Sequence, residues 1–222
     1  MAVVTPDLAE LFEEAYERAG LEMRTGYDLR TARRSLNMLT LEWQNRGLNL
    51  FTIESGTQAL TAGTAAYTMP TDTVDLIEHQ LRTGTGVNQI DTALERISVA
   101  TYAQQTNKNT TGRPVQIYVD RGISSVTATV WPVPDSSDYT LFYYRLKGID
   151  GLSAGISGSA GVPPRFVPAL VSGLAFQIAM KKPEAAGRAQ ALREEYERQF
   201  EMAASEDQDR ASSYFTPWSA YP

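Results

Sequence analysis

Side chains that could do chemistry are few and scattered along this sequence. The single histidine, His79, sits between Glu78 and Gln80 in a strand-like stretch. A catalytic base needs a nucleophile within reach and a third group to orient it, and no motif marks either one. An ordinary strand histidine is the simpler reading. Glu54, Asp72, Asp75 and Glu78 lie near strand-like segments, and two carboxylates suffice to hydrolyse a glycosidic bond. Nothing in their spacing singles out a pair, so they read first as polar-face residues. Metal chemistry is equally unsupported, because the chain has no cysteine and its carboxylates fall at surface-helix spacing. Thr83-Gly84-Thr85-Gly86 lacks the strand–GxGxxG–helix setting of a dinucleotide site. No catalytic residue, metal or cofactor is expected.

Two other groupings suit binding better than catalysis. Arg30, Arg33 and Arg34 cluster on one helical stretch. They read either as a solvated face or, more sharply, as a surface that docks an acidic partner. Near the C-terminus Tyr214, Phe215, Trp218 and Tyr221 fall within eight residues, interrupted by Pro217. That density is too apolar for a simple disordered tail, yet the segment has no helical or strand period. Tyrosine and tryptophan dominate binding hot spots. Residues 210–222 either fold back on their own domain or form an extended arm that docks on a partner, and the arm is the favoured expectation.

The elements that must carry these residues follow from composition and period. A chain of 222 residues with 42% hydrophobic and 21% charged residues can bury a proper core in one or two domains. Absence of cysteine rules out disulfides and suits a reducing compartment. No apolar run reaches the roughly 18 residues of a membrane span, and the first seven residues lack the basic and apolar parts of a signal peptide. Synthesis in the cytosol is expected. A net charge of −6 argues against a surface built to grip phosphate backbones.

The chain reads as helix pair, β domain, helix pair, with these boundaries: an N-terminal helical part at 1–49, a β domain at 50–150, a Gly/Ser-rich linker at 151–164, a C-terminal helical part at 165–209 and the arm at 210–222. A first helix is predicted over 7–19, with Asp7 and Glu10 at capping-box spacing and Leu8, Leu11, Phe12, Ala15 and Ala19 in one stripe. Glu10, Glu13, Glu14 and Glu17 face outward. A second runs over 28–46, closed by Gly47. Its apolar residues Leu29, Ala32, Leu36, Leu39 and Trp43 step by 3, 4, 3 and 4, the spacing of close helix–helix packing, and Trp43 is expected between helices from both chain ends. A third helix is predicted over 165–181 with Pro168 in its first turn and close contact at Gly173. A fourth runs over 184–207.

The middle is rich in threonine, glycine and β-branched residues. Strands are predicted to start at Phe51-Thr52-Ile53 and to include 66–69 and 73–82, with a short helix over 98–105 capped by Ser98. Residues 114–146 read as an antiparallel meander of three strands, since Val115, Ile117, Val119 and then Val126, Ala128, Val130 alternate with polar neighbours. The third run, 139–146, carries large side chains on both faces and so needs a cover on each, from a second sheet or from a neighbouring subunit. The expected class is α+β: a helical bundle from both chain ends, an inserted antiparallel β domain of sandwich or barrel type, and an extended C-terminal arm.

Leu36-x-x-Leu39-x-x-x-Trp43-x-x-x-Gly47-x-x-x-Phe51 is followed by Leu60-Thr61-Ala62-Gly63-x-x-x-Tyr67-x-x-Pro70, then by Gly112-Arg113-Pro114-x-x-x-Tyr118 and Trp131-Pro132-Val133-Pro134. This order resembles the head-to-tail connector adaptors of tailed bacteriophages, especially the tail tubular and tail accessory proteins of short-tailed phages, over about residues 7–205. The resemblance implies a structural virion protein at the head–tail junction, made in the host cytoplasm and without enzymatic activity. It implies a homo-oligomeric ring, expected to be twelvefold, beneath the portal protein. Such a ring extends the DNA channel and offers a platform to a tail nozzle or other tail proteins. Genomic DNA passes without specific binding, no membrane is involved, and arm residues Tyr214, Phe215, Trp218 and Tyr221, with Arg30, Arg33 and Arg34, contact the portal or a neighbouring subunit. The linker at 151–164 has no match in the family pattern. Two alternatives remain open from sequence: a tail-associated hydrolase of cell-wall glycan, and a β-sandwich ligand-binding module.

Overall fold

The computed structural model describes residues 7–24, 26–47, 50–149 and 162–207. The helices among them are α1 (Leu8–Ala19), α2 (Gly26–Arg46), α3 (Val99–Gln104), α4 (Val167–Ala179) and α5 (Ala189–Glu206). The strands are β1 (Ile53–Ala59), β2 (Ala66–Thr68), β3 (Thr73–Thr83), β4 (Ile90–Ala93), β5 (Glu95–Ile97), β6 (Thr111–Gly112), β7 (Gln116–Arg121), β8 (Val126–Trp131), β9 (Val133–Pro134) and β10 (Thr140–Lys147). They fall into two compact units, residues up to 42 with those from 151 onward, and residues 43–150. The class is α+β, as expected, with helices at both chain ends and an inserted, largely antiparallel β region that closes no barrel. Most of the expected linker and the arm at 210–222 lie outside the described residues.

In the helical unit, α1 forms because its cap and stripe agree. The Asp7 carboxylate accepts from the Ala9 N–H, and Glu10 reaches back to accept from the Asp7 N–H at 3.1 Å. The buried face is the expected one plus Tyr16, whose hydroxyl donates to the Asp28 carbonyl at 3.0 Å. Gly20 ends the helix at φ 75, the left-handed cap conformation. On α2, Ala32, Leu36, Leu39 and Trp43 are buried as the stripe requires and Leu29 is half-buried. The division between the units falls directly before Trp43, which groups with residues 43–150 and is fully buried.

Helix α4 is apolar nearly all round, which makes it the central helix of its unit. Pro168 sits in its first turn. The α conformation is shorter than expected at this end of the chain. Pro164–Phe166 form a 3-10 turn before α4, and Pro183–Arg188 form another before α5, each opened by a proline that has no N–H to donate. Gly173 is where α4 meets its neighbours most closely. A Cβ there would lie 2.9 Å from the Tyr196 ring of α5 and 3.0 Å from Leu39 Cδ1 of α2.

The β unit stacks two four-stranded sheets, ordered β1-β10-β3-β4 and β2-β8-β7-β5, with β6 and β9 as a small parallel pair. Their facing sides share one core, to which Leu76, Leu81, Leu141 and Tyr143 come from the first sheet and Ile117, Ala128 and Val130 from the second. The sandwich expectation therefore holds, but the expected meander over 114–146 does not. Strands β7 and β8 pair as predicted, whereas β10 leaves them and lies between β1 and β3. Pro132 and Pro134 interrupt the ladder after β8, and the chain crosses to the other sheet. Strands β4 and β5 carry no clear alternation, and β5 pairs with β7 in parallel. Of Phe51-Thr52-Ile53, read as the start of a strand, Ile53 opens β1 while Phe51 and Thr52 belong to a 3-10 turn over Leu50–Thr52. The Thr83–Gly86 stretch is the tip of the β3–β4 hairpin. Gly84 is needed there, with φ 73 and Asn88 O only 2.3 Å from where a Cβ would stand. Ser98 caps α3 as predicted, accepting from the Thr101 N–H at 3.1 Å.

Candidate interaction surfaces

Three of the four carboxylates that could have suggested hydrolysis, Glu54, Asp72 and Asp75, are committed to structure, and Glu78 is exposed on β3. Arg145, its side chain 9% exposed, reaches Glu54 at 2.7 Å and Asp72 at 2.5 Å and also donates to Thr73 Oγ1. The Arg145 guanidinium holds the Asp72 carboxyl below its ordinary value, opposite to the raised value a general acid needs. Asp75 is shared by Arg96 and Arg121. His79 lies on the buried side of β3, opposite Tyr143 of β10. Neither ring nitrogen has a hydrogen-bond partner among the described residues, and burial lowers its pKa. A buried ring with neither nitrogen hydrogen-bonded among the described residues fits the ordinary strand reading. Among the described residues no three His, Asp or Glu side chains could hold a metal ion together, and no helix is long and apolar enough to cross a membrane.

Strand β10 resolves the question of its second face. Leu141, Tyr143 and Arg145 point to the buried side and Phe142 and Tyr144 to the other. Phe142 is half-covered by the Arg82 guanidinium, 4.3 Å from the ring centroid, with Tyr144 edge-on at 5.4 Å. Arg82 is itself fixed by a two-pronged bond to Asp91, both contacts at 2.8 Å. A cation lying on an aromatic ring supplies part of the missing cover, and Tyr144 stays 41% exposed.

The predicted arginine cluster is brought together. Arg30, Arg33 and Arg34 line one open groove with Tyr27 and Asn37, and none of the three arginines has an ion-pair partner among the described residues. A second groove runs on from Tyr27, Thr31, Arg34 and Met38 to Lys181 and Lys182. Lys182 is paired with Asp28 at 3.0 Å. Lys181 donates to Ser35 Oγ at 2.6 Å, and burial together with nearby Arg34 lowers its pKa. Sequence reasoning missed the apolar flank of this face: Tyr27 is 60%, Met38 60% and Leu41 52% exposed. The signal was present, because Tyr27, Thr31, Arg34, Met38 and Leu41 step by 4, 3, 4 and 3, a second seam beside the buried one. The aromatics Tyr214, Phe215, Trp218 and Tyr221 lie outside the described residues.

A helix with one seam buried at home and another, cationic and apolar, left outward belongs to a protein that joins others. The sequence matches the SU10 adaptor protein family over residues 7–220. The chain belongs to that family. It is a bacteriophage structural adaptor, consistent with the head-to-tail type, and the match is to the SU10 adaptors rather than to the tail tubular proteins. No curated protein matches it.

Proposed function

We propose that this adaptor forms a ring, expected to be twelvefold, that attaches beneath the portal, extends the DNA channel and gives tail proteins a platform. Supporting this reading is the outward seam of α2, where Arg30, Arg33 and Arg34 stand among exposed Tyr27, Met38 and Leu41 in a chain of the adaptor family. Three guanidiniums with no ion pair among the described residues, beside apolar side chains, have the composition of a protein-binding patch, in which arginine and aromatic anchors dominate. The arm residues Tyr214, Phe215, Trp218 and Tyr221 dock on the portal or on an adjacent subunit. A net charge of −6 suits a conduit that lets DNA slide past without binding it. Assembly runs on protein surfaces alone and needs no metal, nucleotide or other cofactor.

Electron cryomicroscopy of the virion, with the chain labelled, tests this directly. The expected result is a closed ring of the chain at the head–tail junction. A virion lacking the chain, or a chain located only at the distal tail tip, would overturn the proposal. A chain shortened by residues 212–222 should keep its melting temperature and lose binding to portal rings; a sharp fall in melting temperature would assign the aromatics to the protein's own fold.

A further inference from the structure

We propose that the arginine seam of α2 docks on the glutamate face of α1 in a second copy of this chain. The contact builds on the ring reading above and names the two surfaces that meet. Helix α1 exposes Glu10, Glu13, Glu14 and Glu17, the densest acidic face among the described helices. Glu14 is held by Arg18 at 2.7 Å and Glu10 by the cap of its own helix, which leaves Glu13 and Glu17 without an ion pair among the described residues. On α2, Arg30, Arg33 and Arg34 likewise have no ion-pair partner among the described residues.

The two faces match in length as well as in sign. Glu13 to Glu17 and Arg30 to Arg34 each step four residues, about 6 Å of helix axis. Apolar Tyr27, Met38 and Leu41 flank the arginines, so the contact has a dry margin that strengthens the charge pairs it borders. Among the described residues no ion pair joins these two faces, and a second copy supplies the charges that match them. Because the surfaces differ, the contact is head-to-tail, the kind that closes into a ring when the rotation between copies permits.

Reciprocal charge reversal on the full chain tests the contact, read by sedimentation in about 0.1 M and 1 M salt, where screening lengths fall from about 10 to 3 Å. Wild type should self-associate in low salt and weaken in high salt. The pair Arg33→Glu with Arg34→Glu, and separately Glu13→Arg with Glu17→Arg, should each weaken association about tenfold or more. Mixing the two reversed chains should restore it, since every contact then pairs opposite charges. Because the chain has no cysteine, Glu13→Cys and Arg34→Cys chains mixed under oxidant should form a disulfide-linked dimer, and this readout serves even if a reversed chain does not fold. A wild type that stays monomeric, a mixture that fails to restore association, or cysteine chains that do not cross-link would overturn the contact. Portal binding measured in parallel keeps the two proposals apart: self-association through these faces without portal binding sinks the adaptor placement alone, and portal binding with self-association untouched by the reversals sinks this contact alone.

Discussion

In the β unit Arg82, Arg96, Arg121 and Arg145 each meet a carboxylate of the same unit, whereas on α2 of the helical unit Arg30, Arg33 and Arg34 meet none among the described residues. Both units contain enough acid to pair every arginine. What differs is geometry. Antiparallel strands hold cross-strand neighbours about 5 Å apart, so Asp91 falls opposite Arg82 by register. A helix offers a partner only at three or four residues along its own face, and α2 places no acid at those offsets from Arg30, Arg33 or Arg34. Charges that register satisfies stabilise a fold, and charges that it leaves over are available to a partner.

Substitutions can break or sharpen this contrast. The largest effect belongs to the seam that α2 keeps buried. Trp43→Ala should cost about 3–5 kcal/mol, as large-to-small changes in a close-packed core do; chemical denaturation checks it, and a loss under about 1 kcal/mol would mean the seam is not a core element. Next comes the β unit's central cation. Removing one member of a buried ion pair costs roughly 3–5 kcal/mol, and because Glu54 is 52% exposed Arg145→Ala should lose less, about 2–3 kcal/mol. A loss as small as that of a surface arginine would erase the difference between the units.

Gly173→Ala probes the helical unit's tightest approach. Overpacking by one methyl costs about 1–3 kcal/mol and better helix propensity returns about 1 kcal/mol, so a net loss of up to about 2 kcal/mol is expected in the melting curve. A gain in stability would show that Tyr196 and Leu39 can move aside.

His79 gives the β unit a pH dependence. Its folded pKa is lowered from 6.5, so the unfolded chain takes up the proton first. Stability is fully present above about pH 6.5 and falls as pH drops toward the folded value. His79→Leu should flatten that decline in urea titrations at a series of pH values, and an unchanged slope would assign it to other groups. Smallest of all, Arg34→Ala should shift folding stability by no more than about 0.5 kcal/mol, as a solvent-facing charge without a partner must. A larger loss would place that arginine in the fold and not on a docking face.

Much of the architecture was legible because it rests on local rules. The Asp7–Glu10 cap, the stripes of α1 and α2, the Ser98 cap and the close approach at Gly173 all follow from period, cap chemistry and residue size within one element. The arginine cluster was visible for the same reason, being three residues on one helical face. Tertiary structure decided the rest, because the deciding partners are distant in sequence. Nothing local says that β10 lies between β1 and β3, since strand pairing depends on which edge is free and on the break that two prolines impose. Nor could composition tell that Glu54 and Asp72 are held by Arg145, 91 and 73 residues away, which turns apparent hydrolytic carboxylates into a structural ion network. The exposed seam of α2 shows the same limit from the other side. Its 4-3-4-3 spacing stands in the sequence, but which of two seams the protein buries and which it leaves for a partner depends on what the other helices cover.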